Sequence, residues 1–215
     1  MSRILVIGGH GKVALLLAPL LAARGDQVFA VIRNPDHAAD VRAAGAEPVV
    51  SDIESLDVAQ LADLMAGHNA VVWSAGAGGG SKERTYAVDR DAAIRSMDAA
   101  ATAGVSRYVM VSYFGAGPDH GVPEDDSFFA YADAKSAADA HLSTTNLEWT
   151  ILQPSALTLD APAGRIDVHA SESGSVSRAD VAAVIAAALA DESTVGRSIR
   201  FNSGDVPIGE ALAQA

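Results

Sequence analysis

Short apolar runs, many of them β-branched, alternate along the chain with longer stretches in which apolar residues recur at helical spacing. The short runs ILVI from residue 4, QVFAVI from 27, EPVV from 47, AVVW from 70, RYVMVS from 107, EWTIL from 148 and SIRFN from 198 predict strands. Helices are predicted between them near residues 12–24, 36–44, 56–66, 84–103, 128–145 and 178–190. Such alternation needs right-handed crossovers, which build a mainly parallel sheet with helices on both faces. The expected fold class is therefore α/β, a doubly wound, mainly parallel sheet. It forms a single domain over residues 1–215, with small C-terminal elements on the substrate side. The breaks agree: in Arg24-Gly25-Asp26 and Thr102-Ala103-Gly104 a glycine can take the left-handed cap that ends a helix. The least regular segments, 114–127 and 155–177, are rich in Gly, Pro and Asp, and long loops beyond strand ends commonly build binding sites in this architecture.

Composition narrows the function. With 49% hydrophobic and 20% charged residues, a packed core is expected and disorder is excluded. A formal net charge of -12 repels phosphate backbones and anionic lipid, so neither nucleic acid nor a membrane is an expected partner. The longest apolar runs, VALLLAPLLAA and VAAVIAAALA, fall short of the ~20 residues that span a bilayer. Met1-Ser2-Arg3 leads straight into ILVIGG without a signal-peptide pattern, and the chain has no cysteine, so the cytoplasm is the expected compartment. Six scattered histidines show no ligand spacing, and no metal site is expected. The absence of a G-x-S-x-G elbow argues against a serine hydrolase.

The first strand runs into Gly8-Gly9-His10-Gly11-Lys12-Val13-Ala14, a G-x-x-G-x-x-A spacing that opens the first helix. Small residues there let the backbone turn sharply and approach a pyrophosphate, while the helix N-terminal amides face its charge. Gly8, Gly9, His10, Gly11, Lys12 and Val13 are accordingly the candidate phosphate-side contacts. Lys12 is followed by Val13 rather than Ser or Thr, so the turn is not a nucleotide-triphosphate loop. After the second strand, Arg33 stands with no acid immediately before it. A guanidinium suits the 2′-phosphate of NADP(H), which is read ahead of NAD(H). Asp52, with Ile53 beside it, follows the third strand; it can accept from an adenine amino group or cap the next helix. Ala75 and Gly76, after the fourth strand, are further candidate cofactor contacts. The Ala-rich faces of 84–103 and 128–145 offer a surface for a homodimer, although both also have a sheet to cover.

Tyr131 and Lys135 lie four apart on the predicted helix 128–145, which stacks them on one face. With GGHGKVA, VIRNPD, WSAGAGGG, VMVSYFGAG, WTILQPSAL and VSRADVAAVIAAALAD, this pair resembles the NAD(P)-binding atypical short-chain dehydrogenase/reductase family, particularly its short NmrA-like members. The resemblance runs over nearly the whole chain and implies a Rossmann-like fold. It also implies that Tyr131 is the acid/base at a substrate oxygen and that Lys135 holds the nicotinamide ribose and lowers the tyrosine pKa. Ser112, at the end of the fifth strand, takes the place of the hydroxyl that bonds the substrate oxygen, and Pro154, Ser155 and Ala156 pass the nicotinamide. Two departures stand out. Tyr113 and Phe114 occupy the place of a second hydroxyl, and Gln153-Pro154-Ser155 replaces the Arg-Pro-Gly common in relatives. Arg178 and Asp180 are read as fixing the start of the last long helix.

These residues predict an NADP(H)-dependent oxidoreductase acting on a small carbonyl, alcohol or quinone-like substrate. A non-catalytic NADP(H) sensor is the rival, favoured by the missing second hydroxyl. An NAD(P)-dependent epimerase or dehydratase would share the site but needs a larger pocket. An open cleft between Tyr131 and the nicotinamide position favours an enzyme; a plugged one favours a sensor.

Overall fold

In the computed structural model, which describes residues 1–79 and 81–215, the alternation resolves into a nine-stranded sheet with helices on both faces. The chain runs β1 (Arg3–Ile7), α1 (Lys12–Ala23), β2 (Gln27–Ile32), α2 (Ala38–Ala43), β3 (Glu47–Val50), α3 (Val58–Met65), β4 (Ala70–Trp73) and α4 (Lys82–Thr85). A π-helical stretch, Tyr86–Ala92, joins α4 to α5 (Ala93–Ala103), and β5 (Arg107–Val111), α6 (Phe129–Ser143) and β6 (Glu148–Pro154) follow. The C-terminal part adds β7 (Ala156–Thr158), β8 (Arg165–Asp167), β9 (Ser175–Ser177), α7 (Arg178–Ala190), β10 (Arg197–Ser203), β11 (Val206–Pro207) and α8 (Ile208–Gln214).

The strand order is β11-β8-β10-β6-β5-β4-β1-β2-β3. From β10 to β3 every pairing is parallel, whereas β8 pairs antiparallel with both β10 and β11. The order reverses between β1 and β4, and a crevice at such a switch point is where ligands bind in open parallel sheets. Alternation along β1 divides the core: Ile4 and Val6 pack with Leu17 and Leu21 of α1 and Val184 and Ile185 of α7. Leu5 and Ile7 pack on the other face with Leu61 and Met65 of α3, Met97 of α5 and Leu142 of α6. Ala99, Ala100, Ala134 and Ala138 are fully buried inside the chain, so the Ala-rich faces of α5 and α6 cover its own sheet. Gly25 and Gly104 take positive φ at the ends of α1 and α5, as the spacing predicts.

The main departure lies in 155–177, which holds β7, β8 and β9 instead of an irregular loop. Strands of three residues are too short to show a period. They are fixed at long range, β7 to β9 and β8 to β10, and by Asp180, which accepts from the backbone N–H groups of Ala163 (3.0 Å) and Gly164 (2.7 Å). Ser177 caps α7 by accepting from the Asp180 N–H. Among the described residues no helix is long and apolar enough to cross a membrane.

Candidate active site

The glycine turn divides its labour. Gly8 has φ +85, and a Cβ there would lie 2.6 Å from Ala75 Cα, so only glycine lets the end of β1 meet the chain leaving β4. Gly11 closes the turn by donating to Gly8 O at 2.9 Å and is the exposed N-cap residue of α1. That helix starts with no side-chain cap and no acid in its first turn, leaving its first amides for an anion. Gly9 does not share this role. It is buried, donates to Val31 O, and a Cβ would lie 2.5 Å from Ala30 Cβ; it is a packing glycine against β2 rather than a ligand contact. Lys12 is exposed beside the turn, while Val13 belongs to the core and reaches the cleft wall.

Three cavities, of about 160, 250 and 550 Å³, lie around this turn, and Ala75 and Gly76 line all of them. Gly8 joins the first two and Gly11 the last two, which makes a trough crossing the switch point, suited to an extended dinucleotide. At its 160 Å³ end Asp52 and Ile53 stand with Arg33. Asp52 does not cap the following helix. Its Oδ1 accepts from Glu54 N at 3.1 Å in a local turn, and Asp57 caps α3 in a reciprocal pair with Gln60. Arg33 donates to Glu54 Oε1 at 3.0 Å, and Arg84 reaches the same oxygen at 3.2 Å, so two guanidiniums share one carboxylate. Arg33 also lines the 250 Å³ cavity with Asn34, His37 and His10. The His10 ring stacks on His37 at 3.6 Å, and its Nε2 lies 2.9 Å from Asp40 Oδ2.

The 550 Å³ cleft holds Ser112, Tyr131 and Lys135 together, as the pattern predicts, with Asp89 and Arg178 added. Their chemistry differs from expectation in two ways. Lys135, with 1% of its surface exposed, donates from Nζ to Val111 O at 2.7 Å, and burial pulls its pKa down against the charges of Asp139 and Asp89. The expected lowering of the Tyr131 pKa by Lys135 is not found. Burial first, then the carboxylates of Asp89 and Asp139, push the phenol upward. Ser112 is also not the free donor the resemblance implies. It is buried, and its Oγ donates to Asp139 Oδ2 at 2.5 Å, with Gln153 Nε2 on the same oxygen at 3.5 Å. Burial raises the Asp139 pKa.

Asp89 was not legible as a site residue. It sits in the π-helical stretch, where an extra residue per turn re-aims a side chain. Its Oδ2 accepts from Ala77 N at 3.0 Å, and its buried Oδ1 has no partner and would meet a Cβ on Gly76 at 3.1 Å. Burial raises its pKa, opposed by the Lys135 charge. Arg178 opens α7, lines the same cleft, and donates to Leu157 O and Thr158 O, both at 2.9 Å.

Beyond Tyr131 lies a fourth cavity, of about 470 Å³. Pro154, Ser155 and Ala156 line it with Tyr131, and Leu157 beside them lines both this cavity and the trough. Tyr131 and Leu157 belong to both spaces, so the cleft is open on either side of the phenol. Gly80, at the end of the segment after β4, lies outside the described residues.

Comparison with known proteins agrees with this geometry. The family described as "NAD(P)H-binding" matches residues 8–192. A Bacillus subtilis protein named "Uncharacterized sugar epimerase YhfK" is 32% identical over 214 residues, covering 98% of each chain. A solved structure from Bacillus halodurans, provisionally named an NAD-dependent epimerase/dehydratase, is 31% identical and superposes with a TM-score of 0.91 over 100% of both chains. The oxidoreductase ylbE from Lactococcus lactis is 29% identical, with a TM-score of 0.88 over 99% of this chain and 95% of that one.

Proposed function

The chain belongs to the NAD(P)H-binding family, among the NmrA-like atypical short-chain dehydrogenases/reductases, and on that premise we propose an NADP(H)-dependent oxidoreductase that reduces a small carbonyl compound. The observation that carries this reading is Tyr131, a phenol lining both the trough and the cavity beyond it, with its pKa pushed up. A phenol held protonated is a general acid, which suits reduction better than oxidation. The residues present fit the cofactor: the Gly8 approach, the uncapped start of α1 and the Ala75–Gly76 wall accommodate a pyrophosphate, and Arg33 with Arg84 supplies charge for a 2′-phosphate.

A bound reduced nicotinamide supplies a hydride to the carbonyl carbon. Tyr131 gives its phenolic proton to the carbonyl oxygen and regains one from solvent. Lys135 anchors α6 to the end of β5 through Val111 O, which fixes the position of Tyr131 one turn earlier. Ser112, tied to Asp139, braces the same wall.

Ser112 is also what favours the rival sensor reading, because its hydroxyl is committed to Asp139; the cleft open on both sides of Tyr131 favours the enzyme. An epimerase, as some relatives are named, returns its hydride to the same substrate and gives no net NADPH consumption. A screen of aldehydes and ketones with NADPH, followed by cofactor fluorescence, separates these readings. Substrate-dependent NADPH loss is expected, and an inert protein across the screen would contradict the proposal.

A further inference from the structure

The 470 Å³ cavity has a chemistry of its own. Tyr113, Phe114, Phe128 and Tyr131 line it with Leu157, and no charged side chain does so among the described residues. The rings of Tyr113, Phe128 and Tyr131 form a triangle with centroids 5.2 to 5.5 Å apart, Phe128 standing edge-on to Tyr113 at 88° and the other pairs tilted near 50°. Phe128 is 43% exposed, so a large ring remains at the mouth instead of packing inward. Its polar capacity is confined to hydroxyls: Tyr113 OH and Ser155 Oγ, which are buried without a hydrogen-bond partner, the Tyr131 phenol, and the exposed Ser173.

We propose that this cavity takes a flat, uncharged aromatic carbonyl compound, an aryl aldehyde or aryl ketone, and presents its carbonyl to Tyr131; the inference rests on the reductase reading. A ring entering the cavity packs against this aromatic cluster at edge or tilted angles and covers the exposed Phe128. A sugar brings a hydroxyl on most carbons, more than the few lining hydroxyls can pair, and each one left unpaired in an apolar cavity opposes binding. A nucleotide sugar needs cations for its diphosphate. Among the described residues no cation lines this cavity; those of the adjoining trough are Lys135, bonded to Val111 O, Arg178, bonded to Leu157 O and Thr158 O, and Lys12 at the glycine turn. At the approach to Phe128 the chain is acidic, Glu124-Asp125-Asp126, with Asp126 Oδ1 accepting from Phe128 N at 2.8 Å, which disfavours anionic substrates. The reaction balances as a two-electron reduction. The carbonyl carbon gains a C–H bond from the reduced nicotinamide, the C=O π bond breaks, the oxygen takes the Tyr131 proton, and solvent reprotonates the phenolate to leave an aryl alcohol and oxidised cofactor.

The test uses the full chain with three probes, 2-naphthaldehyde, D-glyceraldehyde and UDP-glucose, and two variants, Phe128→Ala at the exposed mouth and Ala156→Trp to fill the cavity. Binding is measured by calorimetry on the protein loaded with NADP⁺, turnover by NADPH fluorescence, and NADPH affinity checks that each variant folds. Binding of 2-naphthaldehyde is expected, weakened about tenfold by Phe128→Ala and abolished by Ala156→Trp, with no competition from UDP-glucose. If 2-naphthaldehyde fails to bind while D-glyceraldehyde consumes NADPH, the aromatic assignment is wrong and the reductase reading stands. If 2-naphthaldehyde binds and both variants weaken it without NADPH being consumed, the cavity assignment stands and the reductase reading is wrong. Displacement by UDP-glucose, or equal binding in both folded variants, overturns the inference.

Discussion

Adding a methyl group at Gly8 and a side chain at Gly11 separates folding from ligand binding within one four-residue turn. In Gly8→Ala the new Cβ would lie 2.6 Å from Ala75 Cα and 2.7 Å from Ala75 N, both backbone atoms, and φ is +85. The left-handed conformation costs an L-residue about 1–2 kcal/mol and forcing backbone apart about 1–3 more, so the variant loses about 2–5 kcal/mol. For a chain of this length that is a fall of roughly 4–20 °C in melting temperature. Gly11 has ordinary extended geometry, φ -63 and ψ 149, and a Cβ there meets only Gly8 O at 3.1 Å and Ser74 O at 3.7 Å. Gly11→Val therefore keeps most of its stability, losing about 1 kcal/mol at the helix cap. Its isopropyl group stands instead in the pyrophosphate path. Loss of one or two charge-assisted hydrogen bonds, each about 1.5–3 kcal/mol, weakens NADPH by at least about tenfold. Differential scanning calorimetry and NADPH titration on both variants read the two effects separately. Gly8→Ala melting like wild type, or folded Gly11→Val binding NADPH unchanged, would refute this division of roles.

Arg33→Ala should weaken NADPH by ~1.5–3 kcal/mol and leave NADH unaffected, while Glu54→Gln, which frees both guanidiniums, should tighten NADPH by up to ~1 kcal/mol at low salt; equal losses for both cofactors in Arg33→Ala would remove it from phosphate recognition. Asp89→Ala should lower stability by about 1–3 kcal/mol and weaken NADPH, because the Ala77 N–H loses its acceptor and the Gly76 wall its brace. Asp89→Asn, whose amide oxygen can still accept, should restore most of both, as melting curves and cofactor titrations will show. Since the Tyr131 pKa is raised, the phenol is protonated below it and competent as an acid, so kcat for carbonyl reduction should show no alkaline limb from Tyr131 between about pH 6 and pH 9. A fall in kcat through that window that Tyr131→Phe removes would contradict it.

Much of the architecture was legible because its signals are local. The strand at 4–7, the glycine turn and the helix after it follow one another within some twenty residues, and the caps at Gly25 and Gly104 announce themselves by residue type. The meeting of Tyr131 with Lys135 was legible for the same reason, since a helical turn joins them. What was not legible depends on distant partners. Gly9 and Gly11 look alike in sequence, and only the position of Ala30 under one of them separates packing from binding. Ser112 reads as a free hydroxyl until folding brings Asp139 against it across 27 positions of sequence. Asp89 and Arg84 lie on a segment whose helical period suggested a face for the sheet or for a second subunit; the π-helical stretch turns one into the cleft and a shared carboxylate draws in the other.

The central claim is that Tyr131 protonates a substrate oxygen in a cleft that binds NADP(H). It is tested most directly by Tyr131→Phe, which keeps the ring and its contacts with Tyr113 and Phe128 and removes only the hydroxyl. The measurement is turnover of the best carbonyl substrate together with NADPH affinity, on the same preparation. The account predicts unchanged NADPH affinity and a rate lower by about 100- to 10,000-fold. Full activity in the folded variant would contradict it.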